Sequence, residues 1–291
     1  MSCRRARSPF AAISVLVALG VTAGAAADPP AADKSAYTFF NRTPVSQLRE
    51  FTTDRPDVTE SPYTLDAGWW QLEMDLVAAT CDHDTTHGAD LRTSAFTFAN
   101  LNLKFGLTNR IDLQTVIETY TRSRTHDRIA GTHTAASGFG DITSRLKINL
   151  WGNDGGDSAF GLLPFVKWPT NQHGLGNRSL EGGLVLPYGR KLGRGWDLGV
   201  ETAVAFVRNA ADDGYQADWL NSVTVGHEIA GNLAGYLEVT YLYSRGGDQA
   251  TFDCGVTYGV TRNVQFDAGI NFGLTQPAPD FNSFVGLSVR F

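Results

Sequence analysis

The sequence predicts an all-β protein, a transmembrane antiparallel up-and-down β-barrel of about 12 strands, and three observations predict it. Segments of about 10 residues, the length a tilted strand needs to cross a hydrocarbon layer, alternate apolar and polar side chains along most of the chain. The connections between them alternate between short turns and longer loops. The chain opens on an export leader and closes on "FNSFVGLSVRF", an alternating strand that ends in an uncharged aromatic.

The leader comes first. Arg4, Arg5 and Arg7 give it a basic start, Phe10 to Val21 an apolar stretch, and small residues precede Asp28, so residues 1–27 read as a cleaved signal peptide. The apolar stretch is too short to span a bilayer as a helix. Its removal leaves 21 basic against 30 acidic residues, a net charge of −9. The mature chain has no cluster of Lys and Arg interleaved with aromatics, which argues against a nucleic-acid partner. Cys81 and Cys254 remain after Cys3 leaves; one distant pair makes no disulfide scaffold. No stretch of 18 apolar residues remains to form a transmembrane helix.

Residues 28–67 differ from the wall that follows. Pro29, Pro30, Pro44, Pro56 and Pro62 interrupt any strand ladder, and only "PVSQLREF" has room for a turn of helix. This segment is expected in the periplasm or folded up into the lumen, with residues 68–291 forming the barrel. The first strand, 68–79, puts Trp70, Leu72, Met74, Leu76 and Ala78 on one face and Gln71, Glu73 and Asp75 on the other. Strands follow at 92–106, 111–122, 139–151, 158–168, 179–191, 196–207, 216–228, 233–244, 249–260, 263–274 and 281–291.

The same split recurs where Ile111, Leu113, Thr115 and Ile117 oppose Asp112, Gln114, Val116 and Glu118. It recurs again where Ile142, Leu146, Ile148 and Leu150 oppose Asp141, Arg145, Lys147 and Asn149. A face carrying this much charge must be wet. "LTNR", "GNDGGD", "LGRG", "IAGN" and "TR" are short turns on one side. The opposite side has "TCDHDTTHGAD", the stretch from Arg122 to Ser137, "PTNQHGLGNR", "NAADDGY" and the shorter "RGGDQ". Trp70, Trp168, Tyr188, Trp196, Trp219, Tyr241 and Tyr243 fall toward strand ends, where interfacial girdles sit. A soluble sandwich alternates too, but with shorter strands. Localisation in a bacterial outer membrane follows, with the last strand ending at Phe291 as the signal for the barrel-assembly machinery.

"LREFTTDRPDVTESPYTLDAGWWQLEMDL" resembles the N-terminal signature of an outer-membrane transporter family of the meta pathway of phenol degradation. The pieces that carry the resemblance are Asp54-Arg55-Pro56-Asp57, Thr59-Glu60-Ser61-Pro62, Gly68, Gln71 and Glu73. "KFGLTNRIDL", "GFGDITSRLK", "LLPFVKWPT" and "EGGLVLPYGRKLGRGWDLG" extend it over nearly all the mature chain. The resemblance implies an outer-membrane barrel assigned to transport, with small organic compounds, aromatic ones among them, as solutes. The first loop, with His83 and His87, departs from the family pattern.

Four groups of residues invite a function. Asp54, Arg55, Asp57 and Glu60 could gate the barrel, their acids pairing with inward cations such as Lys104, Arg145, Lys147 or Lys167; the plain alternative is a solvated linker. By parity Glu73, Asp75, Asp112, Glu118, Asp141, Glu201, Glu238, Asp253 and Asp267 face the lumen and outnumber the cations there. Such a lining favours cations or neutral polar solutes, unless its charges pair with one another. Cys81, His83, Asp84, His87, His126, His133 and His173 are metal-ligand types, but their spacing matches no closed motif, and a plain outer loop accounts for them. Pro164 and Pro187 each remove a ladder donor, so a bulge or local break is expected there, with either a bent wall strand or a side exit as its consequence. No nucleophile, base and orienting residue can be assembled, and no cofactor is implied. The reading is a passive channel or transporter for small solutes, with a structural or adhesion barrel acting through its outer loops as the rival.

Overall fold

The computed structural model describes residues 33–85, 88–209 and 214–291; the expected signal peptide, the first residues of the N-terminal segment and His87 lie outside the described residues. It carries one antiparallel sheet of 15 strands that closes on itself by pairing its last strand with its first. They are β1 (Trp70–Asp84), β2 (Leu91–Phe98), β3 (Leu101–Thr108), β4 (Ile111–Ile117), β5 (Tyr120–Asp127), β6 (Thr132–Gly138), β7 (Ile142–Trp151) and β8 (Ser158–Trp168). Then come β9 (Glu181–Gly193), β10 (Trp196–Arg208), β11 (Tyr215–Ala230), β12 (Leu233–Tyr243), β13 (Gln249–Thr261), β14 (Val264–Gly273) and β15 (Phe281–Arg290).

Three long strands are each cut in two. β2 and β3 are parts of one, as are β4 and β5, and β6 and β7, because β1 pairs with both β2 and β3 while β2 pairs β5 and β3 pairs β4. With those pairs merged the barrel has the expected twelve strands. One cut falls at Ala99, whose φ of 54° takes the chain out of the extended region.

The stretch from Arg122 to Ser137, expected as a loop, is instead the hairpin of β5 and β6, closed by the tight turn after Asp127. β1 likewise runs to Asp84, so Cys81 and His83 sit on a strand and not in the first loop. The alternation that identifies a wall strand comes from lipid on one side. These outer extensions have polar residues on both faces, which is why sequence periodicity passes over them.

Closure explains the apolar C-terminus. Trp70 and Phe291 exchange backbone hydrogen bonds of 3.0 and 2.9 Å, and β15 is paired with β14 on one side and β1 on the other. A terminal strand pinned along both edges cannot fray. The ladder breaks beside both prolines, as expected: Pro164 is matched with Leu184 on β9 but has no partner on β7, and Pro187 is matched with Glu201 on β10 but has none on β8. Each break lies on the side where a missing N–H would have donated.

The outer surface is apolar and edged with aromatics. Trp70, Trp151, Trp196, Tyr258 and Phe291 are exposed toward the end that holds the short turns, and Trp168, Trp219, Tyr241 and Tyr243 toward the other. The interior inverts a soluble core: its buried side chains include Gln71, Glu73, Lys104, Asp112, Gln114, Lys147, Glu201, Glu238 and Asp267. No helix among the described residues is long and apolar enough to cross a membrane. Ahead of β1 the described residues hold a single 3-10 turn, Val45–Gln47, with isolated bridges at Thr38, and are otherwise irregular.

Candidate functional site

The irregular segment lies inside the barrel and is bonded around most of its circumference. Near β1, Asp54 N donates to Glu73 Oε2 at 3.0 Å, and Gln71 Nε2 donates to the Thr52 carbonyl at 2.9 Å. Across the lumen, Val58 N and Thr59 N each donate to the Glu238 carboxylate of β12 at 2.8 Å, and Glu60 N donates to Glu201 Oε2 of β10 at 2.6 Å. Thr59 Oγ1 lies 2.7 Å from Ser222 Oγ of β11. Farther along, Asn149 Nδ2 donates to the Pro62 carbonyl at 2.9 Å, and Leu65 N donates to Asp112 Oδ2 at 2.8 Å. A Pro-interrupted chain cannot satisfy its own backbone donors in regular structure; the inward carboxylates do it instead.

Ion pairs fix the segment's centre. Asp54 is bracketed by Lys104 of β3 and Lys147 of β7, all three nearly devoid of solvent contact, and Lys104 also pairs with Glu73. Glu60 pairs with Arg145 and lies 3.6 Å from Lys147. Arg55 points the opposite way, to Asp75 of β1 at 2.7 Å and Asp267 of β14 at 2.8 Å, with its guanidinium 5.3 Å from the Phe284 ring. That stacking accounts for an aromatic on the wet face of β15. Gly286 makes room for it, since a Cβ there would come within 2.2 Å of Arg55 Nη2. Gly106 does the same for the chain itself, where a Cβ would meet the Asp66 carbonyl oxygen at 2.1 Å.

Other residues with expected roles stand elsewhere. Among the described residues no ion pair engages Asp57; it lies beside Thr224 and the Glu238 carboxylate. Lys167 does not reach the segment and sits 3.4 Å from Asp141 and 3.6 Å from Glu181, near the far end of β8. Glu118 falls at the break between β4 and β5, folded against Gly140, where a Cβ would lie 2.1 Å from its Oε2. Asp141 also accepts from Asn171 Nδ2 at 2.8 Å.

A latch that sequence reasoning missed closes the site at the short-turn end. Arg49 Nε donates to Asp154 Oδ1 at 2.8 Å, and its Nη1 donates to the Thr64 carbonyl at 2.9 Å, while Lys34 lies 3.0 Å from the same Asp154 oxygen. Partial burial raises the Asp154 carboxyl, but the Arg49 hydrogen bonds and charge outweigh it, with help from Asn109 and Lys34, and hold it at about 2. The only signal in the sequence is an Arg inside "PVSQLREF" with an Asp in the "GNDGGD" turn, 105 residues apart.

Between the segment and the wall is a cavity of about 650 Å³ whose lining mixes Phe51, Tyr63, Leu198 and Tyr236 with Arg55 and His227. Among the described residues no group of three or more His, Cys, Asp or Glu is placed to hold a metal ion. His83 Nε2 lies 2.8 Å from Asp90 Oδ1, and His126 and His133 stack with ring centroids 4.0 Å apart. Cys81 and Cys254 are free thiols.

A closed antiparallel barrel with a lipid-facing apolar wall and a charged interior defines a bacterial outer-membrane barrel protein. The chain belongs to the family described as "Putative MetA-pathway of phenol degradation", whose model matches residues 53–291. No curated protein matches the chain. Among solved structures it is similar to an outer membrane channel from Pseudomonas putida F1, at TM-score 0.56 and 15% identity over 82% of this chain and 100% of that one. Looser likenesses are to the NanC porin (TM-score 0.49, 8% identity, 75% of this chain and 98% of that one) and to the toluene transporter TbuX of Ralstonia pickettii (0.44, 8%, 76% and 88%).

Proposed function

We propose that this protein is a non-enzymatic outer-membrane channel for the passive passage of small solutes, and that residues 52–62 gate it. The observation that carries the reading is the pairing pattern inside the barrel. The inward charges Glu73, Asp75, Lys104, Arg145, Lys147 and Asp267 are spent on a segment with no regular structure of its own. Eight strands can fill their interior with wall side chains, whereas twelve leave a narrow passage that a segment of this size obstructs. A segment held mainly by hydrogen bonds and ion pairs, beside a wet lumen, can be exchanged for water more readily than packed apolar side chains can.

The solutes are small organic compounds, aromatic ones included. Membership of a family described by phenol degradation supports that class, as does a cavity of about 650 Å³ with aromatic and polar lining, a volume suited to a small molecule. The alternating strand ending at Phe291 is the element the barrel-assembly machinery reads. Passage needs no cofactor and runs down a gradient.

The test is single-channel recording in a planar bilayer of the mature chain beside a form lacking residues 28–62. The deletion should convert a silent or flickering channel into a steadily open one. Silence from both forms, together with no uptake of small aromatic solutes, would overturn the channel reading in favour of a barrel that works through its outer loops.

A further inference from the structure

Away from the lumen, the outer hairpins carry a charge pattern that the channel does not use. β1, β2, β5 and β6 continue beyond the wall as a flap, and register places their outward side chains in rows. The innermost row is Phe98 opposite Tyr120. The next sets Phe96 opposite Arg122, the third Ser94 opposite Arg124, and the outermost Arg92 opposite His126, itself opposite His133. Successive rows on one face are about 7 Å apart. Moving outward, the lipid-facing surface therefore changes from aromatic to cationic within a single row.

The two faces of the flap differ. Its inward face carries Thr93, Ala95, Thr97, Thr121, Ser123 and Thr125, with the acids Asp82, Asp84 and Asp127 toward its tip and no Arg or Lys from these strands. Every Arg of β2 and β5 points outward, and Arg92, Arg122 and Arg124 are exposed. No ion pair among the described residues engages Arg122 or Arg124; Asp90, at the flap's tip, is met by His83 and Arg128. A patch meant to attract a solute to the mouth would face the mouth. This one faces sideways, at the level where the aromatic belt hands over to headgroups. At the same end the other strands turn out Trp168, Trp219, Tyr241 and Tyr243, with Arg208 at the tip of β10 over the Tyr215 ring. Three Arg in successive rows stand together on this sector of the barrel.

We infer that this sector is a docking surface for a phosphorylated glycolipid of the outer leaflet, whose phosphates are held by Arg92, Arg122 and Arg124. The planar guanidinium fork suits bidentate contact with phosphate oxygens, and Phe96 and Phe98 below it suit the acyl chains of the same molecule. A groove of about 510 Å³ runs along Arg92, Ser94, Arg124, His126 and His133 and gives the headgroup a seat. The inward face carries none of these cations, so the seat lies apart from the solute path.

The test is native mass spectrometry of the refolded mature chain in detergent with bisphosphorylated lipid A, its dephosphorylated form, or inorganic phosphate. Wild type should retain the bisphosphorylated lipid. The variant Arg92→Gln/Arg122→Gln/Arg124→Gln should lose it by about tenfold or more, whereas Arg110→Gln/Arg194→Gln at the opposite end should not. Heat-modifiable migration on a gel checks that each variant is folded. In wild type, retention should also fall as NaCl rises, a second readout that needs no variant. Equal retention by the triple variant, equal retention of the dephosphorylated lipid, displacement by inorganic phosphate, or indifference to salt would each overturn the inference. Lipid retention is read without any conductance, so failure of the channel reading would leave this result standing.

Discussion

At the scale of single residues, Asp54 is the group on which the segment's position turns. It sits between Lys104 and Lys147, which are 5% and 0% exposed, and removing it leaves two buried ammonium groups short of a partner. Breaking a buried pair costs about 3–5 kcal/mol. Lys104 keeps Glu73 and Lys147 keeps Glu60, so Asp54→Ala should fall at the lower end, about 3 kcal/mol, charged against docking of the segment. Single-channel open probability should rise accordingly, and an unchanged gating pattern would show that Asp54 does not hold the segment. Parity along the strands already tells which acids point inward, and the "DRPD" run shows that charge precedes the wall. Which acid meets which cation was not legible there. Arg55 finds Asp267 across 212 residues, and Lys167, a natural candidate, lies too far along β8 and is taken by Asp141 and Glu181.

At the scale of elements, the wall strands were readable because lipid imposes apolarity on every second residue. The hairpin of β5 and β6 was not, because beyond the membrane both of its faces are polar. Arg122 to Ser137 looks the same whether it is a loop or a strand pair. The N-terminal segment is an element defined by what it binds. Its anchor at the short-turn end, Arg49 on Asp154, makes a pH prediction. The Asp154 carboxyl is held at about 2, below its ordinary 3.8, so the latch is fully present above about pH 4 and is lost only as pH falls through about 2. Hydrogen-exchange protection around Arg49, corrected for the intrinsic pH dependence, should therefore largely survive at pH 3. It should fall at pH 7 as well in Asp154→Asn. Loss of protection in wild type already at pH 4 would refute the latch.

At the scale of the whole molecule, the barrel's inner charge and its segment are complementary. With residues 28–62 gone, Lys34, Arg42, Arg49 and Arg55 leave together with Asp28, Asp33, Glu50, Asp54, Asp57 and Glu60. The wall keeps the buried Glu73, Asp112, Glu201, Glu238, Asp253 and Asp267 and the part-buried Asp75, against the buried Lys104 and Lys147 and the part-buried Arg145. The remaining lining is acidic, so the deleted form should prefer cations, and its reversal potential in a salt gradient should shift toward that of the cation. An anion preference would contradict the assignment of these side chains to the conducting path. Trp70, where the segment ends and the wall begins, is also the residue that seals the barrel against Phe291. The proposed gate is thus moored at the seam: were residues 52–62 to leave the lumen they would remain on a short leash, and their return would be an intramolecular event whose local concentration no dilution can lower. A free peptide of the same sequence, offered to the deleted barrel, would need roughly millimolar amounts to do what the leash does.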